Sequence, residues 1–220
     1  MEVKLSMEIT SAFCVTDFLK KLLLSDSICK HLGDLPGVTK KVVRGACIED
    51  FGDLIMSGDL DIKGMDAILL HIGTNNLARN FDAHAVLIEM GSLIRLIKKI
   101  NDKVHVVVSG ILPRLIDFDQ ADKSIKEYNK LLSRVCRDCN VMMIRSFNGF
   151  TCGKEPNGIK EWLFARDGLH LSTRGSYVLS QLFRVQFSDR NIVKRRAVLD
   201  EEAAKRERRD DDFGYRKEFM

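Results

Sequence analysis

Apolar residues in this chain follow two rhythms. Short unbroken runs alternate with longer stretches in which apolar positions recur every three or four residues. A run of four to eight apolar residues reads as a strand buried on both faces, and the three-four spacing reads as a helix with one buried side. Five runs are expected to be strands: Phe18 to Leu24, Lys41 to Val43, Ala67 to Ile72, Val104 to Ile111 and Val141 to Ile144. The clearest is MDAILLHIG, interrupted only by His71, which is expected to be a core residue. Between the runs, Ile48, Phe51, Leu54 and Ile55 mark one helix. Ala85 to Ile100 marks a second, with Asp82 as its N-cap and Lys98 and Lys99 suited to its C-terminal dipole. Ser124 to Cys136 marks a third, with Ser124 and Glu127 at capping-box spacing. Ser172 to Phe187 marks a last core helix that Thr173 could cap. Strands alternating with helices imply an α/β fold built on a parallel sheet.

Composition limits what this pattern can mean. Hydrophobic residues make up 45% of the 220, enough for one sizeable core. The composition changes at about Asp189. The remainder carries ten basic and nine acidic residues and few apolar ones, so residues 189–220 are expected to be a charged tail. Residues 1–17 are weakly patterned, which leaves 18–188 as the expected domain. Over the whole chain 35 basic residues face 31 acidic ones, and that balance argues against nucleic acid as a partner. No apolar stretch is long enough to span a bilayer, and the first residues lack the order of a signal peptide, so a cytoplasmic setting is expected. Cys136 and Cys139 form a single Cys-x-x-Cys pair without further ligands. They are expected to be ordinary thiols, with no metal and no cofactor.

Three clusters lie where ligands bind in open parallel sheets, beyond the carboxyl ends of strands or before a helix. In LLLSDSICKHL an apolar run leads into Ser25-Asp26-Ser27 and a short helix. Ser27 there would be exposed as a nucleophile, although Ser-Asp-Ser by itself also reads as a helix cap. In LLHIGTNNLAR a strand delivers Gly73-Thr74-Asn75-Asn76. The Asn75 amide could donate to an oxyanion, and the same residues also read as a capping turn. In ARDGLHLSTRG, Asp167 and His170 stand three apart before a helix. A carboxylate can orient an imidazole at that spacing, though a capped turn has the same spelling.

In combination the clusters resemble the SGNH hydrolases, the GDSL-like lipases and esterases, over roughly Phe18 to Phe187. A narrower resemblance is to compact esterase domains of animal and retrotransposon-associated proteins. The resemblance implies a three-layer α/β/α sandwich with a five-stranded parallel sheet in the flavodoxin-like order 2-1-3-4-5. It implies a serine-dependent hydrolase of carboxylic esters, with a triad of Ser27, His170 and Asp167. The oxyanion hole would be the Ser27 and Gly45 backbone N–H groups and the Asn75 amide. Two positions depart from the family pattern: Ser25 stands where a glycine opens the first block, and Asn76 stands where an aspartate braces the third. A second reading is therefore a weakened or inactive protein serving as an interaction module. A third is a nucleic-acid-associated domain using Lys194 to Arg196 and Arg206 to Arg209. The short loops point to a small or surface-presented ester as substrate. The sequence does not give the oligomeric state.

Overall fold

The computed structural model describes residues 19–194, together with 197, 198 and 201. Five strands form one sheet: β1 (Lys21–Ser25), β2 (Val38–Val42), β3 (Ala67–His71), β4 (His105–Ser109) and β5 (Met142–Ile144). All pairings are parallel and the order is β2-β1-β3-β4-β5. The helices that connect or follow them include α1 (Ile48–Ser57), α2 (Thr74–Asn80), α3 (Ala83–Ile100), α4 (Phe118–Asp138) and α5 (Thr173–Gln186). The fold is the expected three-layer α/β sandwich. Among the described residues, no helix is long and apolar enough to cross a membrane.

The period-two alternation of a strand sends successive side chains to opposite faces, and here both faces are covered. Leu22, Leu24, Ile68, Leu70, Val106 and Val108 enter one core, where Phe51 of α1, Met90 and Ile94 of α3, and Ile125 and Tyr128 of α4 meet them. Leu23, Ala67, Leu69 and Val107 enter the other core, against Leu179 and Phe183 of α5. Continuous apolar runs are the sequence form of a sheet buried in this way.

Several boundaries differ from the sequence reading. β1 ends one residue later, at Ser25, and Phe18 lies outside the described residues. β2 begins at Val38 instead of Lys41, because this edge strand is half-exposed and carries Thr39, Lys40 and Lys41. β4 is shorter than Val104 to Ile111. The short helix α2 follows β3 directly, where a turn was expected. α4 starts six residues before Ser124, so Ser124 is interior and no capping box forms there. Its hydroxyl donates to the Phe81 carbonyl, and Glu127 turns toward His84. α5 is capped by Ser172, which accepts from Gly175 N–H, and not by Thr173. Asp82 caps α3 as expected, accepting from the His84 and Ala85 N–H groups.

The charged C-terminal segment is not separate from the core at residue 189. Lys21, almost fully buried at the start of β1, pairs with Asp189 at 2.6 Å. Ile192 is buried in the second core. Two apolar or paired residues anchor a charged stretch whose average composition conceals them. Residues 195, 196, 199, 200 and 202–220, with residues 1–18, lie outside the described residues.

Candidate active site

The site is built on the carboxyl edge of β1. Its last residue, Ser25, is fully buried and accepts the Val43 N–H through its carbonyl at 2.9 Å. Ser25 is absent from the residues with positive φ, so a side chain there causes no backbone strain. Its hydroxyl is buried beside the Cys29 thiol without a hydrogen bond of good geometry. Asp26 then caps the short 3-10 turn Ser27–Cys29 by accepting Ile28 N–H at 2.9 Å. This cap fixes the turn that carries Ser27.

Burial raises the Asp26 carboxyl to about 6. The hydrogen bond from Ile28 N–H and the nearby His170 and Arg114 oppose that rise. Its second oxygen, Oδ2, is buried without a hydrogen-bond partner among the described residues. Arg114, itself buried, binds Asp117 and the Thr74 carbonyl and hydroxyl. It thereby ties the segment after β4 to the start of α2.

Ser27 Oγ lies 3.0 Å from His170 Nε2, although 143 residues separate them. His170 Nδ1 lies 2.7 Å from Asp167 Oδ2. Asp167 is held at about 2 by the Leu169 N–H, the imidazole and the His170 N–H, so it is an acceptor. Nδ1–H therefore donates to Asp167, and Nε2 is left to accept from the serine hydroxyl. The loop holding this pair is rigidly tied. Gly168 accepts from Leu115 and Ile116 N–H through its carbonyl, and Ala165 N–H donates to the His170 carbonyl. Gly168 has φ +66°, and a Cβ there would stand 2.9 Å from Ile116 N. Both the conformation and the space require glycine.

The second cluster is joined to the segment between β2 and α1 that carries Gly45. Asn75 Nδ2 donates to the Ala46 carbonyl at 2.8 Å, beside Gly45, whose φ is +71°. Asn76 Oδ1 accepts Ile48 N–H, the first turn of α1, at 3.0 Å. Asn76 Nδ2 donates to Glu49 and to Glu89 at 2.7 and 2.6 Å. An amide is suited to this position, because an aspartate would face two carboxylates. The departure at 76 is thus matched by its neighbours, a match that depends on α1 and α3 meeting α2. Sequence spacing could not reveal it, nor the roles of Asp26 and Arg114.

The site is open. His170 and Asp167 side chains are 42% and 48% exposed. A cavity of about 620 Å³ lies at the opposite edge of the sheet, lined by Leu19, Lys21 and Val38 at the starts of β1 and β2. His71, in contrast, is buried in β3. It bonds Ser109 Oγ at 2.8 Å, and burial lowers it to about 4, so it is a neutral core residue as expected. Cys136 is buried in α4 and Cys139 ends that helix; both are free thiols.

A wholly parallel sheet with a serine, a histidine and an acid gathered at its carboxyl edge is an open α/β/α sandwich of the kind that binds ligands at that edge. The model of the GDSL-like Lipase/Acylhydrolase family matches residues 25–178, well over half of the chain, and the chain belongs to that family. The fold is similar to that of a Streptococcus pneumonia protein described as a platelet activating factor. That similarity has a TM-score of 0.62 at 22% identity and covers 79% of this chain and 86% of the other. It is also similar to a member of the lipolytic G-D-S-L family from Veillonella parvula, with a TM-score of 0.60 at 17% identity, covering 74% and 94%. An acetyl-xylooligosaccharide esterase from Geobacillus, in a mutant form, gives 0.57 at 16% identity, covering 75% and 92%. No curated protein matches the chain.

Proposed function

We propose that this protein hydrolyses carboxylic esters with Ser27 as nucleophile. The observation that carries the reading is the chain of contacts from Ser27 Oγ to His170 Nε2, and from His170 Nδ1 to Asp167 Oδ2, at 3.0 and 2.7 Å. Ser27 Oγ attacks the ester carbonyl while His170 takes its proton and Asp167 stabilises the imidazolium. The tetrahedral oxyanion is received by the Ser27 and Gly45 backbone N–H groups and the Asn75 amide. The carbonyl re-forms, the C–O bond to the alcohol breaks, and His170 protonates the departing alkoxide. Water then attacks the acyl-serine by the same relay and releases the carboxylic acid. No step calls for a metal or an organic cofactor. The high exposure of His170 and Asp167 favours an ester that is small or presented on a larger surface.

The test is labelling with a fluorophosphonate probe together with hydrolysis of short p-nitrophenyl esters. The natural chain should be labelled and active, and Ser27→Ala should lose both. A natural chain that is folded, unlabelled and inactive on several ester classes would leave the interaction-module reading in its place.

A further inference from the structure

The solvent face of α4 carries five cations in a row: Lys123, Lys126, Lys130, Arg134 and Arg137, all exposed. The steps between them are three, four, four and three residues. At 100° per residue that spacing confines all five to an arc of about 80°. The buried positions of the helix, Ala121, Ile125, Tyr128, Leu132 and Cys136, centre roughly 160° away by the same count. The row therefore points straight into solvent. At 1.5 Å per residue it is about 21 Å long.

This arrangement has a local cost. Lys126 and Lys130, and Lys130 and Arg134, are like charges four apart on one helix, each pair destabilising by roughly 0.2–0.5 kcal/mol. Only Lys126 is relieved, by Asp122 at 2.7 Å. Lys123, Lys130, Arg134 and Arg137 make no ion pair with the described residues. The nearby Glu127 lies closest to His84, at 3.5 Å from its Nε2. Both flanks extend the positive field. A cavity of about 370 Å³ on one side is lined by Lys126, Lys130, Arg145, Asn129 and Asn148. A groove of about 380 Å³ on the other side is lined by Arg95 and Arg134, with Asp138 as its one acid.

We infer that α4 is a docking surface for the phosphate backbone of a nucleic acid. A strand of nucleic acid presents one phosphate per roughly 3.4 Å of duplex axis, so about 21 Å of helix faces about six phosphates. The charge is a line that begins one turn after Asp119 and is bordered by Asp122, Glu127 and Asp138, which suits a rod-shaped polyanion. An anionic bilayer is a plane and would meet those acids as well. The row includes no aromatic side chain, so the contact is to backbone and independent of base sequence. The near balance of charge over the whole chain averages over this surface, and the proposal departs on that ground from the expectation of no nucleic-acid partner.

The test uses the full chain and a fluorescent single-stranded RNA of mixed sequence, followed by anisotropy between 50 and 200 mM salt. A duplex DNA and vesicles rich in phosphatidylserine are run in parallel. The natural chain should bind RNA or DNA, with log affinity falling linearly against log salt. Lys130→Glu with Arg134→Glu should weaken binding at least ten-fold at 50 mM. The salt slope should shrink by about 1.4 for a single strand, roughly 0.7 for each lost contact. Lys63→Glu with Lys154→Glu, the same charge change at exposed sites off α4, should stay within about two-fold. Circular dichroism and ester hydrolysis are measured on each variant. If the glutamate pair unfolds the helix, Lys130→Gln with Arg134→Gln takes its place, and it should still weaken binding several-fold. No nucleic-acid binding by the natural chain, equal losses in the two double variants, or binding to vesicles alone would each overturn the inference. Ester hydrolysis is an independent readout, so its absence bears only on the proposed activity.

Discussion

Asn75 and Asn76 are adjacent, yet the structure gives them different work. Asn75 keeps one amide hydrogen on the Ala46 carbonyl and has a second to offer an oxyanion. Asn75→Ala should lower kcat by about 10²–10³, the usual loss for one such donor, with little change in KM. Equal losses in both constants, or a large loss of stability, would make Asn75 a brace between loops instead. Asn76 is such a brace, and its donor amide is required by the two carboxylates it meets. Asn76→Asp would turn two hydrogen bonds into two repulsions and should cost on the order of 2–3 kcal/mol. Adding Glu89→Gln should recover part of that loss in a thermal melt. A melt unaffected by Asn76→Asp would mean the carboxylates swing away freely. Ser25 shows the opposite relation to the family pattern, since a strand residue without positive φ has no need of glycine.

At the level of elements, the placing of His170 depends on how α5 begins. Ser172 N–H donates to the Leu163 carbonyl, and the Ser172 hydroxyl caps the helix at Gly175 N–H. A Cβ on Gly175 would stand 1.9 Å from that same carbonyl oxygen. Gly175→Ala must therefore push the first turn of α5, which begins three residues beyond His170, away from Leu163. Overpacking of this kind costs about 1–3 kcal/mol, or several degrees in Tm for a chain of this size. kcat should fall as well, because a displacement of about 1 Å between reacting groups can cost roughly 10²-fold. An unchanged Tm would show that the turn is softer than its contacts imply. α4 shows how an element can mislead when read by caps alone. Ser124 and Glu127 have capping-box spacing, but the amphipathic pattern continues upstream through Ala121, and burial of that residue carries the helix to Phe118. Only with its full 21 residues in view do Lys123 and Arg137 join the cationic row.

Over the whole molecule, two buried groups give opposite pH dependences. Asp26 moves from 3.8 to about 6, so between those values the folded chain binds more protons than the unfolded one, and stability falls as pH rises. His71 moves from 6.5 to about 4, so across nearly the same window the folded chain binds fewer protons, and stability rises with pH. The two slopes offset each other. Asp26→Asn keeps an acceptor for Ile28 N–H and removes one slope. The variant should gain stability relative to the natural chain between pH 4.5 and pH 7.5. A shift of about two units corresponds to roughly 3 kcal/mol over the full window. Both pH values lie above the range in which Asp167, at about 2, takes up its proton. Thermal melts at the two pH values decide the matter, and a difference that is the same at both would refute it.

The sequence by itself determined the sheet, because strands buried on both faces must be apolar throughout, and that is a local property visible in MDAILLHIG and HVVVSGIL. It also determined which short blocks stand at strand ends, since a strand end is marked by the residues immediately after it. It named Ser27, Asn75, Asp167 and His170 from residue type and neighbourhood, with the family resemblance adding Gly45 and the roles. Only the tertiary structure brought Ser27 to His170, decided that Asn76 faces two glutamates, buried Asp26 and Arg114, and drew Ile192 into the core. Those outcomes depend on hydrogen bonds and burial between residues far apart along the chain. Periodicity within one element carries no information about what a distant element will place beside it.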